Sequence, residues 1–333
     1  MLVVSIGCPA GIGPEVSVRA AAQLRGEACV LVGDWGTIEH AAQLAGVSPK
    51  RFTAYREGKL DARKIHILGV GPKLEVKDRQ SERVTPNAGR AQLAYIEAAY
   101  ELAKSQRGAA LVTGPVSKAA IAGCGLVRAR KFLGHTEWLQ AMDGANVAIM
   151  CFASKDLVTS LVTTHLPLSR VSGAITKEKV CAATVQLGKL LQAMGRVQPT
   201  VSVCSLNPHA GESELLGKEE ARAIIPGIAL AQKQLGKKVT VQGPIGAETA
   251  YRKAYAARGK SSAPGVVAMY HDQATIPLKL VSFGEAVNVT MGLSIVRTSV
   301  DHGTAYDIAW KGVADASGML SAMQLAQRLL TGA

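Results

Sequence analysis

Leu2-Val-Val-Ser-Ile6, followed without a break by Gly7-Cys-Pro-Ala-Gly-Ile-Gly-Pro-Glu15, is the stretch on which the fold turns. A short apolar run rich in β-branched residues reads as a buried strand. Glycine and Pro9 end it, Pro14 suits the first position of a helix, and Glu15 sits favourably in that helix's first turn. Free N–H groups at such a helix start would welcome an anion, and glycine permits its close approach. A tight turn asks for the same residues, so both readings stay open. The run is not GxGxxG, and no acidic residue is read at the end of a second strand, so the dinucleotide fingerprint is absent.

The same alternation continues along the chain. Residues 2–6, 29–32, 65–68, 110–113, 147–151, 157–163, 201–205, 239–242 and 266–269 read as strands. Ala-, Leu- and Gln-rich stretches of helical period lie at 15–24, 38–45, 88–105, 177–194, 218–235, 248–256 and 316–329. Strands alternating with helices predict an α/β protein, with a sheet covered by helices on both faces. A length of 333 residues suits a two-lobed arrangement, and no repeat or low-complexity linker marks the division.

Composition narrows the function. Apolar residues make up 48% of the chain, which excludes a disordered polymer. No uncharged apolar run approaches the roughly 18–20 residues that a membrane helix needs. The first residues lack a basic n-region, so neither a signal peptide nor a membrane role is expected, and the expected location is cytoplasmic. The six cysteines, at 8, 29, 124, 151, 181 and 204, form no CxxC pair and read as small buried side chains in a reducing compartment. The net charge is +13, but the densest basic stretch, Lys50 to Lys64, is interrupted by Glu57 and Asp61. Four Phe, seven Tyr and three Trp are few for a base-stacking platform, so no nucleic-acid partner is expected.

Three histidines stand at the ends of expected strands: His165 in TTHLP, His209 in NPHAG and His271 in YHDQ. In an open α/β sheet, ligands gather at the carboxyl ends of strands, and three neutral imidazoles would leave positions open on a divalent ion. The spacings carry no local metal signature, so ordinary polar loop residues remain the alternative. Lys279, Asn288 and Arg297 each sit among apolar neighbours, which calls for a buried anion or a buried acid as partner. Lys118 in TGPVSK, just beyond a strand, and His135 with Thr136 in GHTE add polar groups for which a salt bridge or a cap is the plainer reading.

Taken in order, GCPAGIGPE (7–15), TGPVSK (113–118), FLGHTE (132–137), TTHLPL (163–168), LNPHAGE (206–212), GPIGAE (243–248), YHDQ (270–273) and RTSVDHGTAYDIA (297–309) resemble one family. That family is 4-hydroxythreonine-4-phosphate dehydrogenase, which serves pyridoxal phosphate biosynthesis. The resemblance implies a two-lobed α/β/α fold like that of isocitrate and isopropylmalate dehydrogenases, with the active site in the cleft between lobes. It places residues 1–130 plus about 280–333 in the first lobe, and about 131–279 in a second lobe carrying much of the metal and dimer surface.

The implied activity is metal-dependent, NAD(P)-linked oxidation and decarboxylation of 4-phosphooxy-L-threonine to 3-amino-2-oxopropyl phosphate. By the same resemblance, His165, His209 and His271 hold one divalent ion (Zn²⁺, Mg²⁺ or Co²⁺), with His271 supplied by the second chain of a homodimer. His135, Thr136, Glu248, Lys279, Asn288 and Arg297 contact the phosphorylated substrate. Gly11, Gly13, Asp301, His302, Gly303 and Asp307 meet the cofactor, and Lys118 is the candidate for proton transfer. Cys8 stands where the family usually has Asp, and Glu248 where it usually has the shorter Asp. Related dehydrogenases that act on sugar-acid phosphates or dihydrodiol carboxylates are the nearer alternative. A phosphate acyltransferase on a related fold is the more distant one.

Overall fold

The computed structural model describes residues 1–79 and 84–331. They group into two units, Met1–Ala145 with Leu293–Thr331, and Asn146–Gly292. The first segment runs β1 (Leu2–Ser5), α1 (Gly13–Gln23), β2 (Cys29–Gly33), α2 (Trp35–Leu44), β3 (Phe52–Ala54), β4 (Ile65–Gly69), α3 (Val76–Arg79), α4 (Pro86–Ser105), β5 (Ala110–Thr113), α5 (Lys118–Ala122) and α6 (His135–Asp143). The middle segment runs β6 (Ile149–Ala153), β7 (Val158–Leu161), α7 (Leu168–Ala174), α8 (Lys177–Ala193), β8 (Thr200–Cys204), α9 (Ile225–Leu235), β9 (Thr240–Ile245), α10 (Ala247–Ala256), β10 (Gly265–Ala268), α11 (His271–Ser282) and β11 (Val287–Met291). The chain closes with β12 (Val296–Val300) and α12 (Ser317–Thr331).

In the first unit the strand order is β3-β4-β2-β1-β5-β12, and every pairing is parallel. Val3, Val30, Val32 and Leu111 point to a core shared with Leu93, Ile96 and Tyr100 of α4 and Leu139 of α6. Their neighbours Leu2, Val4, Leu31 and Val112 are equally buried and face the opposite side, where α12 packs on β5 and β12. Two buried faces explain why these strands read as continuous apolar runs rather than alternating ones. Each Val, Leu or Ile so buried contributes about 1.5–3 kcal/mol.

The second unit mixes directions. β11 pairs antiparallel with β6, and β6 antiparallel with β7, while β7, β10, β8 and β9 follow in parallel. Side-chain alternation is again visible at adjacent residues. The Thr159 hydroxyl lies 2.7 Å from that of Tyr251 on α10, whereas Ser160 donates to the Ala183 carbonyl of α8 at 3.1 Å.

The division falls at 145/146 and 292/293 rather than at 130/131 and 279/280. Helix α6 stays with the first unit because Leu139 enters its core and Asp143 accepts hydrogen bonds from Tyr100 at 2.7 Å and from the Ser294 amide at 2.9 Å. Strand β11 stays with the second because it is laddered to β6, with Asn288 opposite Phe152. All six cysteines are buried and free of disulfides. Among the described residues no helix is long and apolar enough to cross a membrane.

Candidate active site

The carboxyl ends of β1, β5 and β12 are neighbours on one edge of the first unit, so their three loops meet there. The amide of Cys8 donates to the Pro115 carbonyl at 2.8 Å, and that of Ile12 to Thr304 at 2.9 Å. Two amides of the 7–15 loop are therefore taken by carbonyls of neighbouring loops. Gly11 and Gly13 are required by the same packing. A Cβ on Gly11 would lie 2.6 Å from the Thr304 carbonyl oxygen, and one on Gly13 would meet the carbonyl oxygen of Ile6. Glu15 is buried and accepts from the amides of Trp310 and, at 3.1 Å, Gly312, which fastens the segment after β12 to α1. Cys8 is buried with its sulfur 3.6 Å from the Tyr306 hydroxyl, and burial pushes its thiol pKa up.

An acidic residue does follow the second strand. Asp34 comes directly after β2, but its carboxylate caps α2 by accepting from the Thr37 amide and hydroxyl, both at 2.8 Å, and lies 3.6 Å from Arg79. Its acceptor capacity thus goes to the fold.

Around the ends of β5 and β12 lies a cationic cluster. Arg297 is 2% exposed, and its guanidinium donates to the Thr113 hydroxyl at 2.6 Å. Burial pulls its pKa down to about 9, opposed by the charge of Glu137. His135 opens α6 with its Nε2 buried and without a hydrogen-bond partner. Burial holds this imidazole well below its usual pKa, and the charges of Arg297 and Lys118 push it further, so it is neutral at pH 7. The Lys118 ammonium lies 3.5 Å from where a Cβ on Gly134 would stand. Lys118 is set by Ser117, which caps α5 and whose own amide is held by buried Gln92 at 2.8 Å. Thr136 is buried beside His135.

The second unit carries the three singled-out histidines. His165, His271 and His209 follow β7, β10 and β8, which are adjacent and parallel, so all three emerge at one edge. The His165 and His271 rings are 5.5 Å apart between centroids and line a cleft of about 400 Å³ with Thr164, Leu166 and Ile276. His271 Nδ1 is 2.7 Å from Asp272 Oδ1. His209 is exposed on a loop of left-handed backbone, close enough for its charge to lower the pKa of Glu248. That lowering comes first from a hydrogen bond of Glu248 with its own amide, at the start of α10.

The remaining expectations divide. Asn288 lies on β11 with Oδ1 buried and without a hydrogen-bond partner, as a ligand contact would leave it. Lys279 differs from its sequence reading: α11 turns it outward beside Leu280, which is 83% exposed, so its apolar neighbours do not bury it. His302 also has a buried, unbonded Nε2, and the space where a Cβ on Gly303 would point is open. Asp307 is exposed and Asp301 half-buried.

These observations test the two implied groups. For a dinucleotide, His302 and Gly303 fit, with an unused polar atom beside open backbone, whereas Gly11 and Gly13 serve the chain's own packing. For a divalent ion, one chain brings two imidazoles together; among the described residues no three His, Cys, Asp or Glu side chains form a metal-holding group. The donor types suit a borderline metal.

The reading of the residues missed several supports. Gln92 under Ser117 and Glu220 under the His209 loop lie outside every motif block, and Thr113 and Glu137, though inside TGPVSK and FLGHTE, give no local sign that they support Arg297. Their partners lie 13 to 184 residues away in sequence.

A family model described as pyridoxal phosphate biosynthetic protein PdxA matches residues 25–326. The chain belongs to the PdxA family. A 4-hydroxythreonine-4-phosphate dehydrogenase of Acidithiobacillus ferrooxidans is 38% identical over 334 residues, covering 99% of this chain and 96% of that protein. A crystal structure of the same-named enzyme from Klebsiella pneumoniae superimposes with a TM-score of 0.81 at 30% identity, covering 99% of both chains. A terephthalate 1,2-cis-dihydrodiol dehydrogenase from Burkholderia xenovorans is less similar, with a TM-score of 0.68 at 27% identity over 98% of this chain and 97% of that one. The PdxA relatives are oxidoreductases, and this chain is one of them.

Proposed function

We propose that this PdxA protein oxidises and decarboxylates 4-phosphooxy-L-threonine to 3-amino-2-oxopropyl phosphate, with NAD(P)⁺ as oxidant and a divalent metal ion. The observation that carries the substrate class is the cationic cluster. Buried Arg297 and nearby Lys118 flank a neutral His135, a setting for an anionic ligand. The names of the full-length relatives supply the particular phosphate ester.

In the reaction the C3–H leaves as hydride and the C3 hydroxyl loses its proton, giving a 3-oxo acid. The C1–C2 bond then breaks to release CO₂, and C2 takes up a proton. When bound, the dinucleotide accepts the hydride and the metal ion (Zn²⁺, Mg²⁺ or Co²⁺) stabilises negative charge on oxygen. Arg297 and Lys279 bind anionic groups of the substrate, and His135, Thr136 and Asn288 direct hydrogen bonds to it. Glu248 faces the polar end that carries the ammonium group. Lys118 delivers or removes the proton at C2. His302 and Gly303, with Asp301 and Asp307, take the cofactor, while Gly11 and Gly13 shape the loop beneath that segment.

His165, His209 and His271 hold the metal, and a second copy of the chain completes the set, with His271 reaching the partner's site. Support comes from the absence of a three-ligand group among the described residues of one chain. The apolar rim of the His165–His271 cleft adds to it, with Leu168 73% and Ile276 66% exposed.

An assay of NADH formation with 4-phosphooxy-L-threonine beside a cyclic cis-dihydrodiol carboxylate tests the assignment. Turnover of the first is expected. Turnover of the second alone would overturn the substrate reading.

A further inference from the structure

His209 sits at the head of an unusual backbone run. His209, Ala210, Gly211, Glu212, Ser213 and Glu214 all have positive φ, at 51°, 54°, 82°, 41°, 55° and 72°. Five of the six carry a Cβ, and for such residues the left-handed region is unfavourable. A strained run persists only where its surroundings fix it. Within the run, the Glu212 amide donates to His209 at 3.2 Å, Leu215 to Glu212 at 3.2 Å and Leu216 to Gly211 at 3.0 Å. These bonds shape the loop but do not tie it to the unit.

The tie is made by two carboxylates. Glu220, 4% exposed, places Oε1 2.9 Å from both the Leu206 and Asn207 amides, and Oε2 2.9 Å from Asn207 Nδ2. The same Oε2 lies 3.0 Å from where a Cβ on Gly211 would stand, so the carboxylate also floors the turn. Glu219 accepts from Asn207 Nδ2 at 2.7 Å and from the Ser172 hydroxyl. Ser205 braces the other side, donating to the Asn207 carbonyl at 2.9 Å. Among the described residues no lysine or arginine pairs with Glu220. A buried carboxylate is costly, and this one is matched wholly by N–H donors from the segment that leads into His209.

We propose that Glu220 is a positioning residue for His209: it locks the 206–214 loop so that the imidazole stands ready for the metal ion before the ion arrives. The inference rests on the reading of His209 as a metal ligand. Outer-sphere partners of this kind raise affinity because the ligand's orientation is fixed in advance. A glutamine at 220 keeps the size and one oxygen for the two backbone amides, but turns an NH₂ group toward the Asn207 amide. The loop then relaxes and His209 swings among several positions.

The test is a Co²⁺ titration of metal-depleted full-length protein, followed by the visible absorption of the bound ion, for wild type, His209→Ala, Glu220→Gln and Thr184→Val. Thr184→Val is the control for simple destabilisation, because it removes a buried 2.7 Å bond to the Val180 carbonyl within α8 and touches none of the bonds that hold the loop. The expected result is a loss of Co²⁺ affinity of roughly 10-fold or more in Glu220→Gln, with an altered absorption band, normal circular dichroism and an unchanged Thr184→Val. If His209→Ala weakens binding and Glu220→Gln does not, the positioning role is overturned while the ligand reading stands. If His209→Ala binds Co²⁺ normally, the ligand reading fails and the inference falls with it. Should Glu220→Gln not fold, Asn207→Ser, which removes the side-chain bond to Glu220 and keeps the backbone ones, must show the affinity loss. Wild-type affinity there overturns the proposal.

Discussion

His165 and His271 of one chain hold their rings 5.5 Å apart, tilted by 40°, at the ends of adjacent parallel strands. In the proposed arrangement these two rings serve different sites, His165 that of its own chain and His271 that of the partner. Replacing either by Ala should lower divalent-metal affinity by more than the roughly 10–100-fold typical of losing an outer-sphere partner. Metal content after gel filtration checks this. Mixing inactive His209→Ala and His271→Ala chains should restore part of the activity if one ligand crosses a dimer interface, because one of the two sites in a hybrid is then intact. No recovery after verified subunit exchange would exclude the crossed arrangement.

His135 gives a pH signature. Its folded pKa is depressed, so the folded protein keeps it neutral where the unfolded chain already takes a proton near 6.5. In that window the unfolded state binds more protons, and stability rises with pH. Wild type should therefore lose stability as pH falls below about 6.5, down toward the depressed folded value, and His135→Gln should flatten that part of the curve. Denaturant melts at pH 5 and pH 7 measure it.

Arg297 presents a planar fork from a buried strand position. Arg297→Met removes a buried cation without creating an unpaired one, so the fold should survive. Substrate binding should weaken by roughly 2–3 kcal/mol, about 30- to 150-fold in kcat/KM. Arg297→Lys should recover little of it. Steady-state kinetics with the phosphorylated substrate checks both.

Glu15 ties the segment after β12 to α1 through two backbone amides. Glu15→Gln leaves one of these donors facing an NH₂ group, at a cost of about 1–3 kcal/mol. Tm should fall by roughly 2–10 °C and the KM for NAD⁺ should rise, because residues 301–312 lose their anchor. Calorimetry and cofactor titration report the two effects separately.

How much of this was legible depended on the kind of residue. Strands β1, β2, β4, β5 and β10 are buried on both faces, so their Val, Ile and Leu runs announced them. Strands β11 and β12 escaped the strand reading because Asn288 and Arg297 interrupt the apolar pattern, a local rule broken at candidate site residues. Helix α11 escaped because Pro277 lies inside it. The histidines were visible from their place at strand ends, whereas the supporting roles of Glu220, Thr113 and Gln92 were not. Each of these acts through a partner distant in the chain, and single residues with distant partners leave no periodic trace. The family blocks carried the substrate and the ligand roles. The opening loop shows the reverse case, since its glycines suggested an anion but also meet the chain's own packing, and the Thr304 and Pro115 carbonyls take two of its amides.

The most direct test of the central claim is a stoichiometric turnover of 4-phosphooxy-L-threonine and NAD⁺ by metal-depleted protein, before and after a divalent ion is restored. The expected result is no reaction without the ion and, with it, one NADH and one CO₂ per substrate consumed. NADH formation without CO₂, or equal turnover in the absence of any divalent ion, would contradict the account.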